Sequence, residues 1–495
     1  MVKMGSYAWP LVDEFVDREA ELGRLEEWWT SAERMPLNLY GRRRAGKSWL
    51  LRRFAHDKSA VLLVAHKVTP GAQLHSFAER LEPLLGVAPA LPDVPSLFRV
   101  LFRSARNRKL LAVIDEFPWL LPTTEAAAEA ELSAIQAVFE EERDASRLKL
   151  VLCGSLVAQM EALQGERSPL HGRLVPIQLQ PMRYADAARF MPQLDPLARF
   201  ERFAIAGGMP RYLSTLAGGR SLRDVLCRQV LDRNAPLWDE ARVVIEQELR
   251  EPKIYFSILA ALATGDKELG EVVAAARSAS ATISKYLAVL EDMRIVSRHL
   301  PVGADRTSRS GHWHLRDAFF RFWFRFVFPY QDELEAGLRP GDLYDTEVAP
   351  ALGDHVAAEF EDWSRDWTRS TYGRVASQVG SWWGPARHDL RRTGQRHSEE
   401  IDIVGLARGR VTLVGEAKWQ NRPLGPATLA DIENHKIPAL TQAGHKLATN
   451  PTIVLLARAG YSRSLVNAAA DHGNVVLVDV PAALDGAIQR QHTPN

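Results

Sequence analysis

The chain has 495 residues, 46% hydrophobic and 25% charged, which is the composition of an ordinary globular protein of about three domains at ~150 residues each. A net charge of +1 excludes a global basic field, so any nucleic-acid contact must come from local patches. Cys153 and Cys227 form no C-x-x-C, which excludes zinc fingers and disulfide frameworks and fits a reducing cytoplasm; no signal peptide, membrane span or membrane partner is expected.

Phe15 to Leu22 opens a helix that runs to about Trp29, with Asp17 as the expected N-cap. Leu37 to Tyr40 then reads as a strand. Gly41-Arg42-Arg43-Arg44-Ala45-Gly46-Lys47-Ser48 follows and fits G-x-x-x-x-G-K-[ST] at every fixed position. A helical run starts at Trp49. Strand, loop and helix in that order make a phosphate loop. Its glycines let the backbone wrap phosphates, and its N–H groups and the new helix N-terminus face the anion. Residues Gly41 to Trp49 are therefore the expected ATP-contacting set. Lys47 would reach the β- and γ-phosphates, and the Ser48 hydroxyl would ligate Mg²⁺.

Val61 to Ala65 is a second apolar strand. Leu110 to Ile114 is a third and ends in Asp115-Glu116, a Walker B pattern. Asp115 would hold Mg²⁺ through its water shell, and Glu116 would orient and deprotonate the attacking water. Leu148 to Ser155 is a fourth strand ending in a small polar residue. Ser155 at its end reads either as a γ-phosphate sensor or as a helix N-cap. Val175 to Leu179 is a fifth. Arg173 just before it is either an arginine finger or a surface arginine. Five apolar strands alternating with helices predict an α/β fold with a five-stranded parallel sheet and the ligand at its C-terminal edge.

These motifs, with Asp115-Glu116-Phe117-Pro118-Trp119-Leu120, Pro169 to Arg173 and Ala206 to Leu213, resemble the archaeal-type ATPase family, which belongs to the AAA+/STAND-like P-loop enzymes. The resemblance implies a helical lid whose Gly-x-Pro, here Gly208 and Pro210, approaches the nucleotide.

Phe200 to about Gln247 reads as lid helices. Ile254 to Leu262, Glu268 to Ala276 and Ser280 to Met293 have a helix–turn–helix rhythm, with Ile295-Val296 and Trp313 to Leu315 as wing strands. This is a winged-helix pattern. It reads as DNA-binding through Lys285, Arg298, Arg306 and Arg309, or as an intramolecular lid. Phe319 to Pro329 is the most aromatic run, and its ring density favours a packed helix over a base-stacking platform.

Pro350 to Trp367 reads as a helix carrying Glu361. Glu400 to Val404 and Val411 to Trp419 read as strands joined by a tight turn at Ala407 to Gly409. Period-2 alternation puts Glu416 and Lys418 on one face. Asp402 followed by Glu-x-Lys on the next strand is a metal-dependent phosphodiesterase arrangement. Asp402 and Glu416 would ligate Mg²⁺, Lys418 would position the attacking water, and Glu361 would add a ligand or tune Lys418. The same pattern also describes a solvated strand face. Phe360-Glu361, Ser381 to Gly384, Glu400 to Val404 and Gly415 to Trp419 look like the restriction-endonuclease-like PD-(D/E)xK domain fused to this ATPase family. Ile401 stands where the superfamily name has proline.

The expected architecture is a P-loop ATPase domain over residues 1–190, a helical lid over 191–247, a winged helix with aromatic linker over 248–343, and an α/β restriction-endonuclease-like domain over 344–495. Two functions follow. In one, ATP hydrolysis gates Mg²⁺-dependent binding or cleavage of nucleic acid, DNA in particular. In the other, a STAND-type switch uses its C-terminal domain to bind DNA or protein without cutting. A homo-oligomer remains open, and it decides whether Arg173 acts in cis or across an interface.

Overall fold

The computed structural model describes residues 16, 18–219, 221–249, 252–305, 308, 310–392, 394, 395 and 397–490. They form two compact units. One holds the described residues up to Pro181 with Met209–Arg211; the other holds Met182–Gly208 and the chain from Tyr212 onward.

In the first unit, β1 (Leu37–Tyr40), β2 (Ala60–Val64), β3 (Leu110–Asp115), β4 (Leu148–Gly154) and β5 (Val175–Gln178) pair in the order β2-β3-β4-β1-β5, all parallel. Strands β1 and β4 are buried along their whole length and β3 up to its last residue, as sheet strands covered on both faces must be. The helices between them supply the cover. Phe98, Leu101 and Phe102 from helix Val94–Ser104 pack with Ile135, Val138 and Phe139 from helix Glu125–Glu142. Helix Val94–Ser104 starts where it does because the Asp93 carboxylate accepts a hydrogen bond from the Ser96 N–H at 2.7 Å. The expected cap Asp17 and the preceding Phe15 lie outside the described residues. The first helix spans Glu19–Thr30 and begins at Arg18, which adopts a left-handed φ of 74° and makes no side-chain cap bond.

The second unit begins with helices. Pro252–Leu262, Leu269–Ala276 and Ser280–Asp292 bury Ile258, Leu259, Val272, Ile283, Leu287 and Leu290. Antiparallel β6 (Val296–His299) and β7 (His312–Leu315) follow. The loop between them is held by the C-terminal sheet: Val302 N–H donates to the Ser381 carbonyl at 2.8 Å, and Trp383 Nε1 donates to the Ser310 carbonyl at 3.0 Å. Arg298 donates to the Ser308 carbonyl, while Arg306 and Arg309 lie outside the described residues.

Most of the aromatic run forms helix Ala318–Phe326, in which every ring is buried and none is presented for a base to stack on; Phe328 follows in a short 3-10 turn, half-buried and packed on Trp323 and Phe324. Trp323 satisfies its indole N–H on the Trp238 carbonyl at 2.6 Å.

The long helix Ala349–Tyr372 leads into β8 (Gln378–Pro385), β9 (Ser398–Ala407), β10 (Arg410–Lys418), β11 (Lys446–Ala457) and β12 (Val475–Asp479). Their order is β12-β11-β10-β9-β8, with β8, β9 and β10 antiparallel and β10, β11 and β12 parallel. Arg408 and Gly409 both take positive φ (50° and 73°), the conformation a two-residue hairpin turn requires between β9 and β10. No helix among the described residues is long and apolar enough to cross a membrane.

Candidate functional site

Strand β1 sits between β4 and β5, so the phosphate loop leaves the sheet's C-terminal edge where the strand order changes direction. The chain turns there because Gly46 reaches a φ of 92°. Gly41 has no room for a side chain, since an added Cβ would lie 2.4 Å from the Leu179 carbonyl oxygen. Lys47 is buried and donates to the carbonyls of Gly41 (2.8 Å) and Arg42 (3.2 Å). The cation is thus held inside the loop that would wrap the phosphates. Arg18 fixes the loop from outside: its guanidinium donates to the Ala45 carbonyl at 3.3 Å and the Gln180 carbonyl at 2.7 Å. Pro210 lies against the loop, its Cγ 3.4 Å from where a Gly46 Cβ would stand. Trp49 keeps 38% of its surface exposed at the start of the helix.

Ser48 Oγ lies 3.4 Å from Asp115 Oδ2. That separation puts two hard oxygens close enough to serve one Mg²⁺, Ser48 directly and Asp115 through the water shell. Glu116 occupies the left-handed region at φ 55°, uncommon for a residue with a side chain and concentrated at functional sites. Its carboxylate accepts from the Ser155 N–H (3.1 Å) and hydroxyl (2.8 Å). Ser155 therefore orients Glu116. Arg173 donates to Glu140 at 2.8 Å and to the His171 carbonyl at 3.2 Å.

The second constellation forms where β9 and β10 diverge. Asp402 Oδ2 accepts from the Ala417 N–H at 3.0 Å and from Lys418 Nζ at 2.9 Å. Lys418 Nζ also pairs with Glu416 Oε2 at 2.6 Å, and Lys436 pairs with Glu416 Oε1. Asp402 and Glu416 are both buried. Lys418 stays half exposed; despite its burial, the carboxylates of Asp402 and Glu416 hold its proton more tightly than usual. Two converging carboxylates suit a hard divalent cation, and Lys418 Nζ marks the place between them where positive charge is favoured. Phe200, Phe360, Trp363 and Trp419 pack on one another, with the Phe360 and Trp419 rings 5.1 Å apart.

Burial, and then the charge of Asp402, push the Glu361 carboxyl up to about 8. The folded protein holds that proton more tightly than the unfolded chain does. The stability contributed by Glu361 is therefore full below the unfolded value of 4.5 and is lost as pH rises through about 8. Denaturation midpoints in metal-free buffer are expected to fall over that window and to fall less in Glu361→Gln. An identical pH profile for the variant would remove Glu361 as the source.

Three residues escape a reading by motif. Arg18 acts 27 positions from Ala45. Lys436 comes 20 residues after Glu416 on a separate helical turn, where no fixed spacing announces it. Arg365, which donates to the Asp402 carbonyl at 3.0 Å, was within reach of sequence reasoning, because it lies one helical turn after Glu361.

A phosphate loop closed on Lys47, with Ser48, Asp115 and Glu116 gathered at the edge of a parallel sheet, defines a P-loop ATPase domain. Residues 15–216 match the family described as an ATPase domain predominantly from Archaea, and this match supports ATP binding and hydrolysis by this part of the chain. Residues 323–437 match a family described as archaeal and bacterial proteins of unknown function. An uncharacterized protein of Methanocaldococcus jannaschii is 25% identical over 413 residues, covering 82% of this chain and 88% of its own. Among solved structures, the Walker-type ATPase of Pyrococcus abyssi is 17% identical at a TM-score of 0.49, covering 65% of this chain and 99% of that one. The ORC2 protein of Aeropyrum pernix is 14% identical at a TM-score of 0.40, covering 66% and 96%.

Proposed function

We propose that ATP binding and hydrolysis switch a C-terminal domain of the restriction-endonuclease-like class between states of Mg²⁺-dependent DNA binding or cleavage. The observation that carries this reading is the convergence of Lys418 on two buried carboxylates, Asp402 and Glu416.

In the ATPase site, Lys47 would bind the β- and γ-phosphates, Ser48 and Asp115 would hold Mg²⁺, and Glu116, oriented by Ser155, would position the attacking water and accept its proton. Pro210 packs against the loop at Gly46. Arg173 serves as an arginine finger only if a rearrangement or a second copy frees it from Glu140. Glu116→Gln is expected to keep nucleotide binding while turnover falls by about 10²–10⁴-fold, the usual worth of a general base. Steady-state ATP hydrolysis beside nucleotide binding checks this, and normal turnover would remove Glu116 from the role.

In the C-terminal site, Asp402 and Glu416 would hold a divalent cation, which would supply positive charge to offset that of the scissile phosphate. Lys418 orients the attacking water, and Glu361 adjusts the charge beside Asp402. The test is cleavage of supercoiled plasmid and single-stranded DNA with Mg²⁺ or Mn²⁺, with and without ATP. Cleavage unchanged by Asp402→Ala and Lys418→Ala would defeat the proposal.

The second reading is a STAND-type switch that binds without cutting. One observation favours it. The β6–β7 loop, the wing of the proposed winged helix, is held against β8 through Val302 and Ser310, as in an internal lid rather than a DNA reader.

A further inference from the structure

We propose that Asp266, His299 and His314 form a divalent transition-metal site of the Zn²⁺ class, independent of the two oxygen-lined sites above. The three residues come from three elements: the turn before helix Leu269–Ala276, strand β6 and strand β7. One ligand atom from each lies within 4.8 Å of the other two. His314 Nδ1 is 2.6 Å from Asp266 Oδ1, and His299 Nδ1 is 3.6 Å from Asp266 Oδ2. Tetrahedral zinc with bonds of about 2.0–2.1 Å spaces its ligands roughly 3.4 Å apart, so the donors already stand near the separation a shared cation needs.

The donor chemistry selects the metal. Two imidazole nitrogens and one carboxylate suit Zn²⁺, or Co²⁺ in its place, whereas Mg²⁺ prefers oxygen alone. Three protein ligands leave a fourth position for water. The rings stack with centroids 4.5 Å apart and 17° between planes, so lone pairs lying in those near-parallel planes do not yet converge on one cation. Binding splays the rings. The open side permits this, since the Asp266 side chain is 40% exposed and that of His299 29%, while His314, at 8%, anchors the site.

Behind the anchor, His314 Nε2 faces Asp362 Oδ2 at 3.7 Å. The far nitrogen of a metal-binding histidine is usually supported by a carboxylate, and Asp362 stands just beyond hydrogen-bond distance with its other oxygen on Arg365. Arg321 also approaches Nε2, at 3.5 Å, and its charge is engaged by Glu359 at 3.0 Å. Through Asp362 the site reaches the helix that carries Glu361. A bound cation would clamp the turn before helix Leu269–Ala276 to the β6–β7 pair, and that pair to the long helix.

The experiment is a titration of the full-length protein with Co²⁺, followed by visible absorption, with Zn²⁺ as competitor. Oxygen-only octahedral sites absorb weakly, so they do not mimic the signal. The expected result is one equivalent of Co²⁺ giving intense tetrahedral bands that Zn²⁺ removes. Asp266→Asn and His299→Asn, with circular dichroism unchanged, are expected to weaken Co²⁺ binding at least about tenfold. Asp266→Asn changes an exposed side chain, so it remains informative if His299→Asn folds poorly. A wild-type protein without tetrahedral bands, or undiminished affinity in the variants, would overturn the site and leave a hydrogen-bonded His–Asp–His cluster.

Discussion

Lys47→Ala is expected to reduce ATP turnover by at least about a hundredfold, the scale of losing one well-placed charged donor to a developing anion. The geometry makes the effect specific. Lys47 Nζ is held on the Gly41 and Arg42 carbonyls within its own loop, so the ammonium is placed before any phosphate arrives. Removing it deletes the only cation whose side chain is seen buried inside the phosphate loop, and leaves the strand behind the loop untouched. Lys47→Arg is expected to fail as well, because a planar guanidinium does not occupy the place of a compact ammonium. Steady-state hydrolysis and binding of a labelled nucleotide check both variants. Turnover within a few-fold of wild type would mean that the loop does not serve ATP.

The second large effect is expected at Asp402. Asp402→Ala removes one of the two carboxylates facing Lys418 and strips the buried Ala417 N–H of its acceptor. The lost acceptor alone costs about 1–3 kcal/mol of stability, so this variant mixes two effects. Asp402→Asn separates them. The amide oxygen still accepts from Ala417, while the charge that would hold a divalent cation is gone. Metal-dependent cleavage is expected to drop by at least about a hundredfold in Asp402→Asn, with the denaturation midpoint close to wild type. Lys418→Ala is expected to do the same to cleavage, with Lys436 still paired to Glu416. A cutting Asp402→Asn protein would move the chemistry elsewhere.

What sequence reading reached and what it missed divide along a physical line. The phosphate loop, the β3 carboxylates and the Glu416–Lys418 pair were legible because their chemistry is contiguous: a loop, a strand end, and two residues on one strand face. The parallel sheet followed from five apolar runs, but its order, with β1 between β4 and β5, rests on crossovers that no local pattern encodes. Ser155 read as a sensor or a cap, and only the fold brought its hydroxyl to Glu116, 39 positions away. Arg173 read as a finger or a surface arginine, and its partner Glu140 lies on another helix. Lys436, Arg18 and the Asp266–His299–His314 cluster all act across long sequence separations. Side chains that meet only through tertiary packing leave no periodic trace. The buried aromatic run was legible for the opposite reason, since so many consecutive rings have no stable place outside a core.

The central claim is that the nucleotide state governs chemistry at Asp402, Glu416 and Lys418. Its most direct test is nicking of supercoiled plasmid in Mg²⁺, with and without ATP, by wild type, Lys47→Ala and Asp402→Asn in parallel. The account predicts nicking by wild type that responds to ATP, nicking by Lys47→Ala that ignores ATP, and none by Asp402→Asn. Equal nicking by wild type and Asp402→Asn, or an ATP response that survives Lys47→Ala, would contradict it.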